Sequence, residues 1–310
     1  VSHGGPPLRV LTWNLFHLRD GRRPPGPGWR TVLLGRPAEA GGYVHLNRKV
    51  LAEAAAIIRR AAPDLLLLQE VPPGSVAALG RAAGMHAAWA ARTGPRVGPP
   101  GLRARLGRAN PDLWSSHEGN ANVVMVGGRL RPEPGSAWAV RLNTPDMVLR
   151  AVRELTLEWD AAEKWARELR VALLARVRPP GGPALTVACV HLHNARVPEQ
   201  STWELRRLAA VLATVEGPLV LGGDLNVLPG HPGLAALAHA GLTADAPAAD
   251  PALGIDRILV RGLRVVRPER RWHPAERDVT VRGPRGPRLL RVSDHDPVEA
   301  AVAPPGATGS

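Results

Sequence analysis

Cysteine is all but absent from the chain: Cys189 stands alone among 310 residues, which excludes an intramolecular disulfide and any cysteine-rich zinc site. It lies within the apolar run LTVACV, where a buried, inert thiol is expected rather than a nucleophile. Lysine is nearly as scarce, limited to Lys49 and Lys164, and tyrosine and phenylalanine occur once each. Aromatic residues make up 4%, and no aromatic hairpin of the kind that engages a bilayer stands out. No apolar run approaches the roughly 20 residues of a membrane span. The stretch VSHGGPPLRV has no charged segment followed by an apolar one, so no signal peptide is expected and the cytoplasm is the default location.

What is present is enough hydrophobic material, 45% of residues, for a substantial core. Without an internal repeat or a low-complexity linker, one domain over residues 1–310 is the simplest organisation, with a core of about 8–303 and a frayed tail, 304–310 (PPGATGS). The net charge of +13 favours an anionic, phosphate-bearing partner. A base-composition bias explains the preference for arginine over lysine, but not the excess of bases over acids.

The order of elements is mixed. LRVLTWNL reads as a strand, followed by a Gly/Pro/Arg loop to about residue 43. NRKVLAEAAAIIRRAAP reads as a helix stopped by Pro63, and DLLLLQEV as a strand buried on both faces. A loop-rich section is expected over about 92–118, then a strand in NANVVMV. Residues 145–169 have helical spacing and suggest an insertion over a sheet. RVALLARV and ALTVACVHL flank RPPGG, a hairpin signal, and PEQSTWELRRLAAVLATVEG reads as a helix closed by glycine. So many apolar strands mixed with helices suggest stacked sheets with helices outside.

Polar residues collect where apolar runs end. VLTWN ends at Asn14, LLLLQE at Glu70, TVACVH at His191, and LVLGGDLN at Asp224 and Asn226. IDRILV begins with Asp256, and SDHDPVEAAV carries Asp294 and His295. If the last two strands run opposite to the first four, these side chains meet at one edge of the strand layers. Taken singly, Asn14 is compatible with a turn cap, Glu70 with a loop acid and His191 with a core histidine. His193 shares a strand face with His191, which leaves open which of the two faces the edge. Taken together, buried carboxylates require a cation. The oxygen-rich set of Asn, Glu and Asp suits Mg²⁺, or Mn²⁺. With no serine or cysteine in a nucleophile context, the chemistry points to attack by water on a phosphate ester.

The motifs TWNL, LLLQE, VHL, GGDLN, IDRILV and SDHDPV, spread over residues 12 to 298, resemble those of the endonuclease/exonuclease/phosphatase superfamily, the DNase I-like fold. The resemblance implies an α/β four-layered sandwich, two mixed β-sheets packed face to face with helices outside. It implies metal ligation by Asn14 and Glu70 with Asp294 nearby. Asp224 would orient or deprotonate water, and Asn226 would hold the water or a phosphoryl oxygen. His295 would act on the phosphate or water with Asp256 on its ring, and His191 would donate to a non-bridging oxygen. Arg167, in WARELR, is the candidate phosphate-facing arginine, though a helix-surface role is equally compatible. VVMVGGRL departs from the LSR that many members carry after the middle strand.

Three functions follow from this reading. The first is a metal-dependent nuclease or phosphodiesterase acting on DNA or RNA, with the arginine-dense span 261–296 tracking the backbone and Trp272 stacking on a base. The second is the same chemistry on a small-molecule or phospholipid phosphate ester. The third is a non-catalytic, phosphate-binding member, disfavoured because every core position is present.

Overall fold

The strands Leu8–Asn14 and Leu65–Gln69 are buried throughout except at Arg9, so each needs cover on both faces. Alternate side chains supply it: Leu8, Val10, Leu65 and Leu67 join one apolar cluster, while Leu11, Trp13, Leu66 and Leu68 join another. These relationships are drawn from a computed structural model that describes residues 6–21, 29–93, 99–180, 182–243 and 253–304.

The first sheet has the order Arg264–Arg271, Val298–Ala303, Leu8–Asn14, Leu65–Gln69, Ala121–Val126, Ala87–Arg92. The second has the order Asp256–Arg261, Leu219–Asp224, Leu185–His191, Val171–Arg178, Arg131–Pro132, with Trp138–Arg141 also paired to Val171–Arg178. Between the sheets Val10, Leu67 and Val124 of the first share a core with Leu173, Val187, Cys189, Val220 and Ile258 of the second. The helices Leu51–Ala61 and Val76–Ala83 cover the outer face of the first sheet through Ile57, Ile58 and Leu79. Pro198–Ala213 and Leu234–His239 cover the second through Leu205, Leu208, Leu212 and Leu237. The layers therefore run helix, sheet, sheet, helix, as the sequence pattern implies.

Some local expectations change. A third, small sheet joins Val279–Gly283, Gly286–Leu290, Tyr43–His45 and Ala38–Ala40. The section expected to be loop-rich contains the helices Pro100–Ala109 and Pro111–Trp114. The early Gly/Pro/Arg loop contains the helix Trp29–Leu34. The helical stretch after residue 144 is two helices, Pro145–Glu154 and Trp159–Arg167, separated by a turn in which Thr156 is left-handed. Residues 305–310 of the expected tail and residues 1–5 lie outside the described residues. Among the described residues no helix is long and apolar enough to cross a membrane.

Strand direction decides where the polar ends collect. Leu8–Asn14 and Leu65–Gln69 are parallel, as are Leu185–His191 and Leu219–Asp224. Asp256–Arg261 runs antiparallel to Leu219–Asp224, with Asp224 opposite Asp256, and Val298–Ala303 runs antiparallel to Leu8–Asn14. The carboxyl ends of four strands and the amino ends of two thus share one edge.

Candidate active site

At this edge the backbone repeatedly turns through the left-handed region at residues other than glycine. Phe16, His17 and Leu18 have φ of 45°, 57° and 57°, Glu70 54°, Asn226 51° and Ser293 68°. Each such residue costs on the order of 1–3 kcal/mol and persists only where neighbours hold it. The neighbours are identifiable. Leu15 N–H donates to Gln69 O at 2.9 Å and His17 N–H to Glu70 O at 3.0 Å. The Ser293 hydroxyl donates to Asn14 O at 2.6 Å. Asn226 N–H donates to Asp224 Oδ1 at 2.9 Å, and Asn226 Nδ2 to Leu192 O at 2.8 Å.

The two glycines of GGDLN serve close approach. A Cβ on Gly222 would lie 2.4 Å from Leu67 Cδ1 of the facing sheet, and one on Gly223 2.0 Å from Val190 O of the neighbouring strand. Larger residues would push Asp224 away from the strand end that presents it.

Asp224 is the hub. Asn14 Nδ2 donates to Asp224 Oδ2 at 3.2 Å and to Glu70 Oε1 at 3.4 Å, while Asn14 Oδ1 accepts from Phe16 N–H at 3.0 Å. His191 Nε2 lies 3.5 Å from Asp224 Oδ2 and 3.8 Å from Glu70 Oε1. His295 Nε2 lies 3.8 Å from Asp224 Oδ2, and its Nδ1 is 2.8 Å from Asp256 Oδ2. Asp294 is exposed at the rim, where Arg291 Nη2 donates to its carbonyl at 2.6 Å.

The groups divide by charge preference. Burial, and then the charge of Asp256, push the Asp224 carboxyl up to about 7, against the opposing pull of His295. Burial alone would lower His295, but the charge and hydrogen bond of Asp256, helped by Asp224 and Asp294, raise it to about 10. Burial, reinforced by the cations Arg170 and His295, drives His191 well below its ordinary value. One edge therefore carries a carboxylate poised to exchange a proton near neutrality, an imidazolium and a neutral imidazole.

Two side chains singled out in the sequence are not brought here. Arg167 is exposed on its helix and paired with Glu163 at 3.1 Å. Trp272 is buried in the outer core beneath the first sheet and presents no free ring to a base. His193 turns aside: its ring stacks on Trp165, and its Nδ1 lies 3.6 Å from Glu168 Oε2. His191 is the histidine that faces the carboxylates.

Two residues join the site that the motifs did not name. Arg170 is buried, its guanidinium pairs with Glu168 while its charge reaches Glu70 and His191, and its backbone N–H donates to Asn143 Oδ1 at 2.8 Å. His17 places Nε2 3.1 Å from Glu70 Oε2. Arg170 immediately precedes Val171–Arg178, which is antiparallel to the strand of His191. The signal for Arg170 was therefore available as a polar residue at the start of an apolar strand.

The donor set fits a hard divalent ion. Burial raises the Glu70 carboxyl above its ordinary range, and among the described residues its ionic contacts are to His17 and His191, not to a lysine or arginine. One amide group, that of Asn14, serves both Glu70 and Asp224. Ligand atoms of Asp224, Asp256 and His295 also lie within 4.8 Å of one another, but with His295 held as an imidazolium this group carries its own positive charge. With no lysine or arginine in contact among the described residues, Glu70 is the carboxylate to which an ion would supply a directly bonded positive charge.

Comparison with known proteins agrees with this architecture. The family model described as Endonuclease/Exonuclease/phosphatase family matches residues 11–295. An endonuclease/exonuclease/phosphatase from Beutenbergia cavernae is 21% identical with a TM-score of 0.60, over 99% of this chain and 74% of that one. A family protein from Bacteroides thetaiotaomicron is 14% identical with a TM-score of 0.61, over 98% and 97%. The mannosyl-6-phosphatase Bt3783 of the same organism is 15% identical with a TM-score of 0.58, over 95% and 99%. No curated protein matches by sequence. From the family match and the shared fold, the chain belongs to the endonuclease/exonuclease/phosphatase family of phosphate-ester hydrolases.

Proposed function

We propose that this protein hydrolyses a phosphodiester of nucleic acid by direct attack of water, assisted by Mg²⁺ or Mn²⁺. The observation that carries the chemistry is the environment of Asp224, a buried carboxylate between an amide, a neutral imidazole and an imidazolium–carboxylate pair. Asn14 and Glu70, with Asp294 nearby, would hold the ion. When bound, it supplies positive charge against the phosphoryl oxygens and acidifies water.

The remaining work falls to the chain itself. Asp224 accepts the proton of the attacking water. His295, kept charged by Asp256, meets the negative charge that grows on a non-bridging oxygen, an interaction stronger in the transition state than in the ground state. His191, neutral, donates a hydrogen bond to the same group. Asn226 fixes the loop after Asp224 through Leu192 O, leaving its amide oxygen as the part available to water or phosphate. Arg170, ion-paired with Glu168, adds buried positive charge felt by Glu70 and His191.

The preference for nucleic acid rests on charge. The chain carries +13, and Arg267 on the strand Arg264–Arg271, Arg282 on Val279–Gly283 and Arg285 in the turn that follows are exposed. Their neighbours Arg270, Arg271 and Arg288 are engaged with Glu276, Asp296 and Glu39. A panel of plasmid, single-stranded DNA, RNA, a generic phosphodiester and sugar phosphomonoesters, each with Mg²⁺ or Mn²⁺, tests the reading. Cleavage of the nucleic acids, reduced by about 10²–10⁴ in Asp224→Asn, is expected. Turnover confined to phosphomonoesters would assign a phosphatase of small molecules instead, and no turnover of any ester would leave a binding protein.

A further inference from the structure

His17 has no place in the mechanism just described, yet the chain is bent to present it. Three successive residues that are not glycine, Phe16, His17 and Leu18, take left-handed backbone. The bend is fastened to the two residues assigned to the ion, Phe16 N–H to Asn14 Oδ1 at 3.0 Å and His17 N–H to Glu70 O at 3.0 Å. Lys49 Nζ closes it from outside by donating to His17 O at 2.9 Å. The result is a buried imidazole whose Nε2 stands 3.1 Å from Glu70 Oε2. Among the described residues its Nδ1 has no hydrogen-bond partner on the far side of the ring.

We propose that His17 is a further ligand of the divalent ion that Glu70 holds, and that its nitrogen shifts the site's preference from Mg²⁺ toward a transition ion such as Mn²⁺ or Co²⁺. The inference rests on the metal-assisted reading above. Adjacent ligands bonded at about 2.1 Å on an octahedral ion lie about 3.0 Å apart, close to the separation observed between the two side chains. Oxygen donors alone suit Mg²⁺, whereas an imidazole favours first-row transition ions. A histidine hydrogen-bonded to Glu70 would account for the same distance without touching the ion, so the test must see the nitrogen itself.

The experiment is direct metal binding, with no substrate present. Calorimetric titration of the full chain with Mg²⁺, Mn²⁺ and Co²⁺ is paired with pulsed electron paramagnetic resonance of the Mn²⁺ form. The wild type, Glu70→Gln, His17→Gln and His17→Asn are compared, and thermal melting establishes that each is folded. Asparagine tolerates the left-handed backbone, so at least one His17 variant keeps the loop. The expected result is a nitrogen hyperfine coupling to Mn²⁺ in the wild type that is lost in both His17 variants. Mn²⁺ and Co²⁺ affinity should fall about tenfold or more, and Mg²⁺ affinity less than about threefold. Mn²⁺ binding that needs Glu70 but shows no nitrogen coupling, or a coupling that survives in the His17 variants, overturns the assignment while leaving the metal reading intact. Absence of binding in the wild type removes both.

Discussion

Asp256→Asn separates the electrostatic account of the site from a merely structural one. Asp256 lies 2.8 Å from His295 Nδ1 and is the first cause opposing the effect of burial on that ring. Removing one adjacent opposite charge typically moves a histidine by about 1–3 pH units, or about 1.4–4 kcal/mol of preference for the imidazolium. Asp256 is also, after burial, the cause that raises Asp224. The variant should therefore move both limbs of the pH–rate profile in the same direction. The alkaline limb, set by loss of the His295 proton near 10 in the wild type, should fall by about 1–3 pH units. The acid limb, set by Asp224 near 7, should also move to lower pH.

The same pair makes a claim about stability. A histidine raised in the folded state binds its proton more tightly there than in the unfolded chain, where 6.5 applies. Its stabilising contribution is fully present below 6.5 and is lost as pH rises through about 10. The destabilisation of Asp256→Asn in urea should thus be greatest at pH 6.5 and below, and shrink toward pH 10. Profiles of kcat and kcat/KM from pH 5 to 11, urea melts over the same range, and NMR titration of the His295 ring provide the measurements. A folded Asp256→Asn protein with reduced turnover but unmoved limbs would refute the reasoning, because a displaced side chain lowers amplitude without changing proton affinities.

Other substitutions probe separate links. Gly223→Ala puts a methyl group against Val190 O, where a Cβ would lie at 2.0 Å, and should destabilise by about 1–3 kcal/mol in urea with loss of turnover; wild-type behaviour would show that the strands need no such approach. Arg170→Ala should lower kcat by about 10²-fold or more, while Arg167→Ala, on the exposed helix face, should stay within about twofold of wild type; the reverse order would restore the arginine first read from the sequence. Burial pushes the Cys189 thiol up to about 12, so a thiol reagent at pH 8 should modify it only after urea unfolds the chain, and rapid native labelling would contradict the buried core between the sheets.

The legible parts of this protein are those where one physical demand acts on a short stretch of sequence. Burial on both faces makes Leu65–Gln69 an unbroken apolar run, and a polar residue at the close of such a run has to be accounted for. That rule finds Asn14, Glu70, His191 and Asp224 directly, and Asp256 and His295 once the last strands are reversed. It reaches Arg170 only with strand direction in hand, because the start of Val171–Arg178 belongs to the site edge through antiparallel pairing with Leu185–His191. Arg167 was the natural choice from WARELR. Yet the helix Trp159–Arg167 buries Ala161, Ala162 and Trp165, and a residue two places after Trp165 turns about 200° from that face. Trp272 misleads for the opposite reason. It follows a strand rich in exposed arginine, but its backbone N–H donates to Pro297 O at 2.9 Å, and the chain folds the ring inward into the cluster that holds Leu290 and Val292. His17 had no sequence signal at all. Its place depends on three left-handed residues without a glycine among them, a conformation that local preference opposes and that contacts with Asn14, Glu70 and Lys49 impose. Where the surroundings override local preference in this way, the reason lies in what the residue faces, and His17 faces Glu70.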